Sequence, residues 1–157
     1  MALIGIIVNE KEENYLDKKI EKELNLGEGN VLYIKEKSIE NIKNISFNTI
    51  ILGKKFKNTE LLKKILEKAN YVIVNSDIED NLKLLENIKA TILTYGFNSK
   101  ATITTSSIQD EKIMICIQRA FKNAKEKKIE PQEIETEIIK NVECTMAIKS
   151  CLLLYEK

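Results

Sequence analysis

The sequence contains no histidine. That removes the commonest general base and the commonest metal ligand together. Ser-His and Cys-His nucleophile pairs are excluded with it. Neither a G-x-x-x-x-G-K-[ST] phosphate loop nor a G-x-G-x-x-G fingerprint occurs anywhere in the chain. No apolar run approaches the roughly 20 residues that cross a bilayer. Net charge is nearly absent too: 25 basic residues face 24 acidic ones, a formal +1. Such a balance offers no field for nucleic acid or an anionic membrane, so neither is expected as a partner. The three cysteines, Cys116, Cys144 and Cys151, are an odd number in apolar surroundings and read as buried, reduced thiols. The opening "MALIGIIVNE" is too short for a signal peptide and lacks its basic start and small-residue cleavage site. A cytoplasmic location is the expectation, with no metal and no cofactor.

What is present describes a single domain, residues 1–157, large enough to fold on its core alone. "LIGIIV" (Leu3–Val8) is a continuous apolar run, as in a strand buried on both faces. Leu16, Ile20 and Leu24 recur every four residues, so Lys11–Leu24 reads as an amphipathic helix. "VLYI", "FNTIIL", "YVIV" (Tyr71–Val74) and "ATILT" (Ala90–Thr94) are further strands. A helix capped by Thr59 lies between the third and fourth, and a helix over Ser76–Ile88 between the fourth and fifth. Strands alternating with helices predict a three-layer, Rossmann-like, mainly parallel sheet. "ATITTSSI" and "IMICIQ", joined by a polar turn, predict an antiparallel extension. "FKNAKEKK" reads as a charged loop or short helical tail, and Ile129–Thr136, holding the only proline, as an edge strand. Ile138–Tyr155 is a final helix, apolar nearly all round and therefore buried.

Candidate site residues sit where strands end, the usual ligand position in open parallel sheets. Asn75 and Asp77 follow the fourth strand. Ser76 and Glu79 fit a capping box, with Asp77 favourable near the helix start, and capping is the stronger reading there. After the fifth strand, Gly96 can take a positive φ and Asn98 tolerates one. A tight turn accounts for them. The functional alternative places Tyr95 or Phe97 against a ligand, with Gly96 and Asn98 at its edge. After the first strand, "VNEKEENY" puts Asn9, Glu10, Glu12 and Glu13 where a phosphate loop would need glycines and a lysine.

Three segments carry a resemblance to the central domain of the Mur ligase family, the ATP-dependent amide-bond-forming enzymes of bacterial cell-wall synthesis. "YVIVNSD" resembles that family's strand ending in Asn-x-Asp. "ATILTYGFNSKAT" resembles its next strand and Thr-Tyr-Gly turn, and "KNVECTMAIKSCLLL" its later helix. The likeness spans Tyr71 to Leu154. It implies that Asn75, with Asp77 beside it, lies near a nucleotide base. The chain departs from the family at Ile78, where a second acid is usual, and at Lys140, where His is usual. The glycine-rich loop, the magnesium-holding Glu and His and the carbamylated Lys have no counterpart.

These readings imply a non-catalytic binding, regulatory or assembly module built on a Mur-ligase-like core and linked to cell-wall metabolism. The alternative is a small-molecule or nucleotide-binding enzyme whose site is completed by a partner chain. Met146, Ile148, Leu152, Leu153 and Tyr155 exceed one buried face of the last helix. A homodimer or protein partner docking there is therefore weighed against cover by the antiparallel extension.

Overall fold

The computed structural model describes residues 2–157. Its centre is the strand run that the sequence makes too apolar to face water: β1 (Ile4–Ile7), β3 (Thr49–Leu52) and β4 (Tyr71–Asn75). With β2 (Val31–Tyr33), β5 (Thr91–Tyr95), β6 (Ile103–Gln109), β7 (Lys112–Ile117) and β10 (Gln132–Glu137) they form one eight-stranded sheet, in the order β10-β7-β6-β5-β4-β3-β1-β2. Neighbours from β2 to β6 run parallel; β7 pairs antiparallel with both β6 and β10. This is the expected three-layer α/β architecture with an antiparallel extension.

The period of two along each strand sorts the core into two halves. On one face Ile4, Ile6, Ile51, Ile73, Leu93 and Ile115 meet α1 (Glu10–Glu23) and α5 (Val142–Leu154). On the other, Ile7, Ile50, Leu52, Val72 and Val74 meet α3 (Thr59–Lys68) and its neighbours α2 (Ile39–Ile42) and α4 (Glu79–Leu84). Helix α5 is buried around most of its circumference: Met146, Ile148 and Leu153 are all enclosed within the chain, and Leu152 and Tyr155 are half-buried.

Several elements differ from the sequence expectation: the helix expected over Ser76–Ile88 is α4, Glu79–Leu84, and the edge strand expected over Ile129–Thr136 is β10, Gln132–Glu137. Asn58, not Thr59, caps α3, its side-chain oxygen accepting from Leu61 N at 3.2 Å. Helix α5 starts at Val142 rather than Ile138, because Lys140 takes φ 64° and Thr145 Oγ1 accepts from Ile139 N, closing a turn before the helix. The charged "FKNAKEKK" region forms a hairpin, β8 (Phe121–Lys122) against β9 (Lys128–Ile129). Asn123 is the reason. Its buried amide donates to Leu153 O and Glu156 O and accepts from Lys125 N and Lys127 N, so the hairpin closes the carboxyl end of α5.

Candidate functional site

The connection from β1 leaves to one side, to β2, and the chain then crosses to β3 on the other. The crevice between the carboxyl ends of β1 and β3 is therefore the topological switch point, where open α/β sheets bind ligands. A cavity of 460 Å³ opens there, lined by Asn9, Glu12, Gly53, Asn75, Tyr95 and Cys144 among others. A second, of 680 Å³, shares Asn9, Glu12 and Lys54 with it and reaches Lys140 and Asn141.

Glu12 organises one wall. It lies in the first turn of α1, and its carboxylate accepts from Cys144 Sγ at 3.0 Å and from Asn141 Nδ2 at 3.1 Å. Asn141 in turn caps α5, its Oδ1 accepting from Cys144 N at 2.8 Å. One carboxylate thus serves the positive ends of two helices, the position that favours an anion in such folds. Burial, then the hydrogen bond to Glu12, pushes the Cys144 thiol well above its ordinary range. Burial alone pushes Cys151 up to about 12. Both are protonated at neutral pH and poor nucleophiles.

The floor comes from β3 and β5. The Tyr95 ring crosses the end of β4, so a Cβ built on Gly53 would lie 3.0 Å from the Tyr95 hydroxyl and 3.0 Å from Ile7 O. Tyr95 is 1 % exposed, and its hydroxyl has no hydrogen-bond partner among the described residues. Burial raises its pKa, and Cys144, Glu12, Glu143 and Asp77 act the same way, so the hydroxyl stays neutral. Asn75 is 7 % exposed. Its Oδ1 accepts from Asp77 N at 3.0 Å, while its Nδ2 has no acceptor among the described residues. Lys54 is held over the cavity by Asn81, whose Nδ2 donates to Lys54 O at 3.1 Å. Lys55 pairs with Asp80 at 2.6 Å, with both side chains exposed.

Asp77 and Asn98 belong to a different construction. Asp77 accepts from Phe97 N at 2.8 Å, Asn98 N at 3.1 Å and Asn98 Nδ2 at 2.6 Å. Asn98 Nδ2 also donates to Ser76 Oγ at 2.9 Å. Gly96, at φ 156°, gives the carboxylate room. The pair clasps the end of β4 to the β5–β6 turn. The expected capping box is not formed: Ile78 stays extended at φ −100°, ψ 97°, and α4 begins at Glu79 with no side-chain cap. Ser76 instead points back, donating to Tyr95 O at 3.3 Å.

Of the residues singled out in the sequence, Asn75 and Tyr95 line the cavity, and Asp77, Gly96 and Asn98 form the adjoining clasp. Sequence reasoning missed Gly53 and the Glu12–Cys144–Asn141 group. Glu12 sits in an acidic stretch, and its partners lie 129 and 132 residues away. Among the described residues no cluster of His, Cys, Asp and Glu is arranged to hold a metal ion, and no helix is long and apolar enough to cross a membrane. No family model matches the chain, nor does any curated protein.

Proposed function

We propose that this chain is a non-catalytic binding module, related in architecture to the Mur ligase central domain, with a small-molecule ligand in the cleft at the β1/β3 switch point. The observation that carries this reading is the Glu12 carboxylate. It fills the place between the α1 and α5 N-termini where a phosphate would otherwise find convergent N–H groups, and its hydrogen-bond partners come from the chain itself. A triphosphate entering that crevice would meet Glu12 and Glu143. The strand ends after β4 and β5, where the resemblance is closest, keep a cavity of ligand size.

Mg-ATP titrated by calorimetry is the direct test. The reading expects no heat of binding at submillimolar concentrations and no hydrolysis; submillimolar affinity would overturn it. A thermal-shift panel of nucleotides and cell-wall precursors then searches for the ligand. At about 100 times its dissociation constant a true ligand stabilises by roughly 2.7 kcal/mol. A link to cell-wall metabolism predicts a precursor among the hits.

A further inference from the structure

The Tyr95 hydroxyl and the Asn75 Nδ2 share one cavity and one condition: each is a donor on a side chain more than nine-tenths buried, and neither meets an acceptor within the described residues. The donor atoms themselves open onto the cavity, since the buried side-chain polar atom left without a partner among the described residues is Asn81 Oδ1. Two donors on largely enclosed side chains that converge on one cavity are the kind of polar group that fixes a ligand's orientation. Gly53 lets the Tyr95 hydroxyl reach this position: a Cβ there would lie 3.0 Å from that oxygen and 3.0 Å from Ile7 O, so the hydroxyl and the backbone already take the place of a side chain.

The charge around the cavity narrows what the acceptor can be. Glu12 and Glu143 line it, and Lys55 is engaged with Asp80, which leaves Lys54 as the facing cation. Glu12, Glu143 and Asp77 all act on Tyr95 as negative charges. An anionic ligand would enter against that field. A cation would suit the field but could accept from neither donor. An uncharged carbonyl satisfies both conditions, and a neighbouring N–H on the same ligand would suit the Glu143 carboxylate at the rim.

We infer that the cleft takes an uncharged, amide-type ligand, its carbonyl oxygen received by the Tyr95 hydroxyl and the Asn75 side-chain amide over Gly53. This rests on the proposed binding role of the cleft and names the chemistry of what it binds.

Three small probes of similar length separate the charge states: propionamide, propionate and propylammonium. Each is titrated into the ¹⁵N-labelled full chain while the Asn75 side-chain NH₂ and Gly53 backbone signals are followed by NMR. Propionamide is expected to shift both sets of signals saturably, and the other two probes to leave them in place. In Tyr95→Phe, the amide should bind about five- to tenfold more weakly, the loss of one hydrogen bond. That variant keeps the fold, because the hydroxyl it removes has no partner within the described residues. Asn75→Asp retains the acceptor for Asp77 N and exchanges the donor for a second acceptor, and it should weaken the amide at least as much. Stronger binding of propionate or propylammonium overturns the inference, as does an amide affinity indifferent to Tyr95→Phe, or no response to any probe. Mg-ATP added as a fourth titrant keeps the two claims apart. Binding of ATP would remove the proposed function itself, whereas silence from ATP and from all three probes removes only the ligand class.

Discussion

The Asp77 carboxylate is fitted against Gly96: a Cβ on that glycine would lie 2.7 Å from Asp77 Oδ1. The clasp therefore needs a residue without a side chain at position 96, at a φ of 156° that L-residues rarely adopt. Gly96→Ala is expected to cost about 2–3 kcal/mol, combining strain with a displaced carboxylate. Urea unfolding measures it. A loss under about 0.5 kcal/mol, the range of ordinary surface changes, would refute the fit.

Asp77 also has a signature in pH. Burial raises its pKa and is the largest single influence. The Asn98 side chain and the Phe97 and Asn98 backbone N–H groups together outweigh it, holding the carboxyl below its ordinary value. A folded-state pKa below the unfolded one contributes stability that is present above the unfolded value, about 3.9, and is lost as pH falls through the folded one. The acid limb of the wild-type stability curve should therefore include a contribution that Asp77→Asn removes. Identical slopes below about pH 4 in the two proteins would count against it.

Helix capping gives a ranked pair. Asn141 caps α5 and donates to Glu12, so Asn141→Ala should cost about 1–2 kcal/mol. Ser76 caps nothing, and Ser76→Ala should cost about 0.5 kcal/mol, for its bonds to Tyr95 O and Asn98. Denaturation midpoints of the two variants decide the matter; a reversed order would restore the capping reading of Ser76.

Thiol reactivity should follow burial. Cys116 is half-exposed, while Cys144 and Cys151 are buried with pKa values pushed up. Iodoacetamide at pH 8 on the native protein should label Cys116 first, with the other two reacting only on unfolding. Peptide mass mapping reads the order. Early modification of Cys144 would mean that the Glu12–Cys144 contact is open in solution.

The parallel strands were legible because each is a short, largely apolar run between turn residues, a pattern that burial on both faces imposes on β1 and β3. The hairpin of β6 and β7 was legible from its polar turn. Ser76-x-x-Glu79 misled because it satisfies a local rule that a tertiary contact overrides. Asp77 is drawn toward Phe97 and Asn98, and Ile78 stays extended as a result. Asn123 gave no signal, since a loop asparagine looks alike whether it faces water or gathers the carbonyls at the end of a distant helix. The sequence offers Tyr95 or Phe97 as the ring against a ligand, and the place of Tyr95 under α5 follows only from three-dimensional packing. Glu12 was invisible as a hub for the same reason: nothing in "EKEEN" separates the acid that meets Cys144 and Asn141 from Glu13, which pairs with Lys35.

Strands β5 and β6 share a single registered pair, Tyr95 with Ile103, whereas their neighbours are paired over several residues. The sheet is in effect two plates meeting along a short seam, and α5 lies across it, packed on β4, β5 and β6. Tyr95 stands on the seam and also forms the floor of the cleft. A change at Tyr95 is therefore a change at the joint between the plates as well as in the cleft.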